Sequence, residues 1–282
     1  MGHVCKADDR LMKTAKVKLT GARETLLITL FAKAGEADLP DSVLKDRMAA
    51  EAVARIDYDF AKLKVTRDIM VGLAMRARKF DEYVRAFIAR NPDAMVLNLG
   101  CGLDTRAFRV EWPSTVQWFD VDFPEVIALR QQLYPQKSGY RMIGSSVTES
   151  AWLEDLPAQA MTIVVAEGLL MYLTRHQVRQ LFTDITGRVR GGEAVFDAGT
   201  RLGTKLVQRQ RSLRSTGATL HWWINDPHEL EEMVPRMRFV EEVPAYDRAM
   251  LKRFSWPSRV SVQFMLMIPP LRKMGRFLRY VF

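Results

Sequence analysis

The stretch Val96-Leu97-Asn98-Leu99-Gly100-Cys101-Gly102-Leu103-Asp104-Thr105-Arg106 decides the fold of this chain. A short apolar run ends in a glycine–x–glycine turn, and an acidic pair, Asp120 and Asp122, follows downstream. That order suits a strand, a tight backbone bend against a nucleotide, and a second strand carrying a carboxylate to a ribose. Glycine is needed at the bend because a Cβ obstructs both positive φ and close approach of a ligand. The carboxylate is useful because ribose hydroxyls are hydrogen-bond donors. Gly102 and Asp122 are separated by one strand–helix unit, the distance expected between a backbone contact and a ribose contact.

The third glycine of the dinucleotide pattern G-x-G-x-x-G is missing, and Thr105 stands in its place. That glycine lets a helix pack close below a pyrophosphate. An adenosine ligand without a pyrophosphate does not need it, and S-adenosylmethionine is such a ligand. The turn alone is weakly specific. An NAD(P)-dependent oxidoreductase is the competing class, disfavoured by Thr105 and by the continuation Pro124-Glu125.

Outward from the turn, strand and helix patterns alternate. Strands are expected at Met95–Leu99, Thr115–Asp120, Tyr140–Gly144, Met161–Ala166 and Glu193–Asp197. Helices are expected near Thr105–Val110, at Pro124–Leu133 and at Arg175–Arg188, the last capped by Thr174. Pro124 suits a first helical turn, where its missing N–H is not needed. Such alternation argues for an α/β fold with a parallel, doubly wound sheet. Upstream, the chain to about Arg90 reads as helical, with apolar faces at Thr25–Ala34, Asp59–Val71 and Phe80–Ile88. Asp41 or Ser42 is placed to cap a short helix there. Downstream, Leu202–Leu213 and Asp226–Met233 read as helices, and Arg238–Val243 and Val260–Ile268 as the last two strands. The domain reading is a helical segment or lid over 1–90 and a core over 91–282, with a substrate-side insertion at about 199–235.

Composition bounds the function class. The 282 residues carry 42 Lys and Arg against 33 Asp and Glu, a net charge of +9. No dense basic block is present, so a solvated basic surface outweighs a nucleic-acid binder, and no nucleic-acid partner is expected. Two cysteines, Cys5 and Cys101, cannot build a disulfide framework, and a reduced, cytoplasmic setting follows as the default. No secretory leader or membrane span is visible. The histidines His3, His176, His221 and His228 lack metal-site spacing, so no metal is expected.

Three segments together resemble the leucine carboxyl methyltransferase family, in particular its polyketide O-methyltransferase branch. They are Asn98–Arg106, Phe119-Asp-Val-Asp-Phe-Pro-Glu-Val-Ile127 and Ala166-Glu-Gly-Leu-Leu-Met-Tyr-Leu173. The resemblance runs from about Leu19 to Val243. It implies a class I, Rossmann-like methyltransferase with a mostly parallel seven-stranded sheet, an N-terminal helical cap and S-adenosylmethionine as cofactor. It implies O-methylation of a small-molecule carboxylate or hydroxyl, with protein carboxyl methylation as the runner-up. Monomer and homodimer both stay open.

The resemblance also assigns site residues. Gly100, Cys101 and Gly102 pass near the ribose and methionine portion, and Asp122 accepts from the ribose hydroxyls. Arg76 falls on the arginine that grips the cofactor carboxylate, with Arg78 as its substitute, and a guanidinium forks both oxygens. Glu167 matches the family glutamate that meets the ammonium. Related carboxyl methyltransferases hold the adenine amino group with an aspartate where this chain has Ser146. Adenine recognition therefore rests on Ser146, Val147 and backbone. Thr20 belongs to an opening motif expected near the cofactor tail.

The acceptor side is less marked. Tyr172 is a candidate for the acceptor pocket. His221, beside Trp222 and Trp223, is a candidate base against a flat acceptor, the alternative being a packed hinge. Arg201 is a candidate anchor for an acidic acceptor. A carboxylate is ionised at neutral pH whereas a phenol, with pKa about 10, is not, so the acceptor decides whether a base is required. The C-terminal Leu271–Phe282 mixes apolar and basic residues at helical spacing, which suits either a helix docked on the core or one lying on an anionic membrane.

Overall fold

The computed structural model describes residues 15–16, 24–209, 217–246 and 250–282. The chain enters through β1 (Ala15–Lys16), α1 (Glu24–Ala37), α2 (Arg47–Arg55) and β2 (Ile56–Asp57), with β1 and β2 paired in parallel. Asp46, rather than Asp41 or Ser42, caps α2 by accepting from the Ala49 N–H at 3.0 Å. The helix expected across Asp59–Val71 is interrupted. Lys64 adopts φ 48°, which ends a short 3-10 turn at Phe60–Leu63. Thr66 then caps α3 (Arg67–Arg90), which runs through the stretch Phe80–Ile88 as one helix.

The elements that follow are β3 (Met95–Leu99), α4 (Arg106–Arg109), β4 (Gln117–Asp122), α5 (Pro124–Leu133), β5 (Tyr140–Gly144) and β6 (Met161–Ala166). Then come α6 (Arg175–Arg188), β7 (Gly191–Gly199), α7 (Arg201–Gln208), α8 (Glu229–Met233), β8 (Arg238–Pro244), α9 (Trp256–Met267) and β9 (Gly275–Val281). The segment read as a helix over Leu202–Leu213 is α7 as far as Gln208, and its residues beyond Arg209 lie outside the described ones. The sheet has seven strands in the order β5-β4-β3-β6-β7-β9-β8. β5 to β7 are parallel, and β9 runs antiparallel to both of its neighbours.

Both faces of this sheet are covered. Val96, Trp118, Ile163 and Val165 meet Phe80, Val84 and Phe87 of α3 on one face. Leu97, Phe119, Val121 and Val164 meet Val178, Leu181, Phe182 and Ile185 of α6 on the other. Burial on both faces explains why these strands read as nearly continuous apolar runs. The chain leaves β3 towards β4 and β5 and returns across the sheet to β6. The crevice beyond the carboxyl ends of β3 and β6 is therefore a topological switch point, where open α/β sheets bind ligands.

Two expectations for the C-terminal region are corrected. Val260–Ile268 lies mainly in the helix α9. Its inner side packs Val262 and Leu266 onto the cluster of Val71, Met75, Leu251 and Phe254, while Trp256, Val260, Phe264 and Met267 are exposed. The basic, apolar end of the chain is β9, inserted between β7 and β8, and is neither a docked helix nor a membrane-lying one. The reason is cross-strand charge pairing. Buried Arg276 bonds Glu242 of β8 at 2.7 Å, and Arg279 bonds Glu241 of β8 at 3.2 Å and Glu193 of β7 at 3.4 Å. These cations thus face acids on neighbouring strands.

Candidate functional site

The glycine turn follows β3 directly. The N–H groups of Gly100 and Cys101 both donate to the Val121 carbonyl, at 2.8 and 3.3 Å. Gly100 and Gly102 hold φ of 58° and 50°, the left-handed region that strains a residue with a Cβ. A Cβ on Gly100 would stand 2.7 Å from Leu169, and one on Gly102 would stand 2.7 Å from Leu26 of α1. The N-terminal cap therefore lies directly against the turn.

Asp122 closes β4 and faces that turn. Its Oδ2 accepts from the Gly102 N–H and its Oδ1 from the Phe123 N–H, each at 2.7 Å. Burial pushes its carboxyl above the usual carboxylate range, with the two N–H donors working the other way. Ser146 and Val147 lie just past β5, beside Asp122: the Ser145 N–H donates to the Asp122 carbonyl at 2.9 Å. Ser146 Oγ and Thr148 Oγ1 are 2.8 Å apart, and Val147 is buried.

Glu167 follows β6 and is engaged by three cations. Arg106 Nη2 reaches Oε2 at 2.5 Å, Arg76 Nε reaches Oε1 at 3.0 Å, and Lys33 Nζ of α1 stands 3.7 Å away. Burial favours the neutral acid, but Lys33, Arg76 and Arg106 outweigh it and hold Glu167 down at about 2. Arg76 also approaches Asp197 of β7 at 3.5 Å, and Asp197 accepts from the Gly168 N–H at 2.5 Å. Burial raises the Asp197 carboxyl. Arg76 keeps 24% of its side chain exposed. Arg78 points elsewhere and pairs with Glu82 along its own helix.

The structure thus brings Arg76, Gly100, Gly102, Asp122, Ser146, Val147 and Glu167 to one end of the sheet. Cys101 is buried within the turn and unpaired, and burial raises its thiol well above the ordinary range. Tyr172 is half-buried and electrostatically close to Arg76 and Asp197. His221 is exposed, and its backbone N–H donates to the Met171 carbonyl at 2.8 Å, one residue from Tyr172. Trp222 is a core residue packed on Phe196, whereas Trp223 is partly exposed under the Arg201 guanidinium, 5.7 Å from the ring centroid. Thr20 lies outside the described residues. Among the described residues, no group of His, Cys, Asp and Glu is placed to hold a metal ion.

Sequence reasoning missed a second layer. Arg106 is 1% exposed, donates to Asp81 of α3 at 2.8 Å and stands 3.0 Å from Asp104 as an ion pair without a hydrogen bond. Arg109 joins Asp81 and Asp104, each at 2.7 Å, and Asp46 at 3.3 Å. Lys33 Nζ donates to Asp104 at 2.7 Å. The available signal was the pair Arg106 and Arg109, one helical turn apart in an otherwise apolar segment.

A family model described as leucine carboxyl methyltransferase matches residues 22–186. The chain belongs to that family. It is an S-adenosylmethionine-dependent O-methyltransferase, and the nicotinamide alternative falls away. It is 42% identical over 266 residues to the tetracenomycin polyketide synthesis O-methyltransferase TcmP of Streptomyces glaucescens, covering 94% of this chain and 98% of that protein. It is 37% identical over 263 residues to the S-adenosyl-L-methionine-dependent methyltransferase dpfgK of Gibberella zeae, covering 86% and 88%. Among solved structures, a duf574 family protein from Streptomyces avermitilis shares the fold at a TM-score of 0.58 and 14% identity, over 91% of this chain and 96% of that one.

Proposed function

We propose that this methyltransferase acts on an oxygen of a small, polyketide-like acceptor, in the crevice at the carboxyl ends of β3, β4 and β6. The observation that carries the reading is the contact between Asp122 and the Gly102 N–H at 2.7 Å, at the switch point of the sheet. An ionised carboxylate offers about four acceptor sites. Two serve Gly102 and Phe123, which leaves the others for ribose hydroxyls.

The donor set fits the cofactor by its chemistry. The backbone at Gly100, Cys101 and Gly102 admits close approach because no Cβ intrudes at the two glycines. Ser146 and Val147 receive the adenine through one hydroxyl and an apolar contact. Arg76 takes the cofactor carboxylate in a forked bond, and Glu167 takes the ammonium. When bound, S-adenosylmethionine supplies a methyl group already activated by its positive sulfur. The protein's part is to align the acceptor and exclude water. Tyr172 lines the acceptor side. His221 stands at its rim as the base for a hydroxyl acceptor, whereas a carboxylate acceptor needs none. The name of the Streptomyces relative supports a polyketide-like acceptor. No helix among the described residues is long and apolar enough to cross a membrane, and the buried free thiol of Cys101 suits the reducing cytoplasm.

Thermal unfolding with S-adenosylhomocysteine tests the cofactor site. Ligand at a hundred times its Kd should stabilise the protein by about 2.7 kcal/mol. Asp122→Ala and Gly102→Val should abolish the shift. An unchanged Tm in the parent protein at saturating ligand would overturn the reading.

A further inference from the structure

The glycine turn is held from behind by the helix that follows the ribose acid. α5 begins two residues after Asp122, and Arg130 of that helix and Tyr134 just past its end both reach back beneath the turn. Arg130 is fully buried and donates through Nη1 to the carbonyls of Gly102 and Asp104, each at 2.8 Å. Tyr134 donates its hydroxyl to the carbonyl between them, that of Leu103, at 2.7 Å. Its ring lies 5.0 Å from the Arg130 guanidinium, so the two donors support each other.

The charge of Arg130 is neutralised where it stands. Arg130 Nη2 bonds Asp120 Oδ2, which also accepts from Tyr140 at 2.6 Å. Asp120 Oδ1 accepts from Asn98 at 2.9 Å and from the Trp118 indole at 3.0 Å. Asp120 therefore has every oxygen committed and faces away from the crevice that Asp122 addresses. The acidic pair of β4 divides its labour: one carboxylate faces the ligand side, and the other anchors the cation that holds the turn.

Gly102 is consequently gripped at both of its polar groups. Asp122 accepts from its N–H and Arg130 donates to its C=O. Peptide planarity passes the constraint along the turn, because a fixed carbonyl fixes the N–H that shares its plane. We infer that Arg130 and Tyr134 are positioning residues for the cofactor: they clamp three successive carbonyls and so set the geometry in which Gly102 and Asp122 meet the ribose. This rests on the cofactor reading given above. Without the clamp, a glycine-containing turn has ample conformational freedom, and ligand binding would have to order it.

The test compares calorimetric affinities for S-adenosylhomocysteine in the full chain. Tyr134→Phe keeps the ring and deletes one donor. Arg130→Lys keeps the charge, but its single nitrogen cannot hold Asp120 and the two carbonyls together, as Nη2 and Nη1 of Arg130 do. Arg130→Met would leave Asp120 buried without its cation and is avoided for that reason. The control is Arg188→Lys. Arg188 pins the carbonyls of Leu153, Glu154 and Leu156 at 3.0, 3.2 and 2.8 Å by the same chemistry, beneath a different turn.

From the worth of single hydrogen bonds, Kd should rise about threefold in Tyr134→Phe and about tenfold in Arg130→Lys. Arg188→Lys should lower Tm and leave Kd unchanged, which separates positioning from general stability. Parent-like Kd in folded Tyr134→Phe and Arg130→Lys would overturn the clamp while leaving the cofactor reading intact. An equal rise in Arg188→Lys would also overturn it. A parent chain that fails to bind the ligand would remove the cofactor reading and the clamp together.

Discussion

The glycine turn and the junction between the cap and the core lie side by side, and they use buried charge differently. Beneath the turn, one cation and one anion close on each other. Arg130 and Asp120 come from a single β4–α5 unit, and their remaining bonds go to backbone carbonyls and neutral side chains. At the junction, Lys33, Arg76, Arg106 and Arg109 share Asp46, Asp81, Asp104, Glu167 and Asp197. Those residues arrive from the cap, α3, the segment between β3 and α4, α4, the segment after β6, and β7. The first arrangement fixes a backbone conformation. The second joins separate parts of the chain, and its carboxylates have several partners each. Arg76 and Glu167, proposed for the cofactor tail, belong to the second, where a partner can be exchanged without leaving a bare charge.

The sharpest way to break this comparison is Arg106→Met. It strips a cation from Asp81, Asp104 and Glu167 at once, and unpairing a buried ion of this kind costs about 3–5 kcal/mol. Chemical denaturation should show that loss. A change below about 1 kcal/mol would mean that the junction does not hold the cap, given the usual spread of single substitutions.

Glu167→Gln should cost less, about 1–3 kcal/mol at neutral pH, because the amide keeps one acceptor. It also sharpens the comparison through pH. Glu167 sits at about 2 in the folded protein against an ordinary 4.5. The unfolded chain therefore binds its proton first as pH falls. The stability that Glu167 contributes is complete above pH 4.5 and drains away as pH drops towards about 2. Acid titration of the parent should show this decline, and Glu167→Gln should make the same limb shallower. Identical limbs would assign acid sensitivity to other carboxylates of the junction, such as Asp104, which Arg106, Arg109 and Lys33 hold well below its usual range against the opposing effect of burial.

The smallest effect belongs to the outer side of α9. Phe264 is 62% exposed and belongs to neither charge array. Phe264→Ser should change stability by no more than about 0.5 kcal/mol, as surface substitutions usually do. A larger loss would show that the exposed stripe of α9 is covered in solution.

The turn and the strands around it were legible in advance because their signals are local. Met95–Leu99, Tyr140–Gly144 and Met161–Ala166 have the expected bounds, and β4 is displaced by only two residues. Thr174 caps α6 with a full capping box, a pattern contained within four residues. The C-terminal region was misread because β9 carries arginines at spacings that also suit a helix. The interrupted stretch Asp59–Val71 was misread because the left-handed Lys64 gives no compositional warning. Within the site, Gly100, Gly102, Asp122 and Glu167 stand at strand ends that alternation alone could mark. Lys33 and Asp81 could not be found that way, since each acquires meaning only from its partners.

From the order of residues alone come the alternating strands and helices, the left-handed bend at Gly100 and Gly102, and a carboxylate one strand further on. Short-range sterics and apolar periodicity act between neighbours, so the chain records them directly. Tertiary structure alone decided that Arg276 and Arg279 lie inside the sheet, that Glu167 meets Lys33, Arg76 and Arg106, and that Arg130 rather than solvent receives the carbonyls of the turn. A buried charge is tolerated only beside its counter-charge, and here the partners stand as far apart in the chain as Arg76 and Glu167. No local pattern spans that distance.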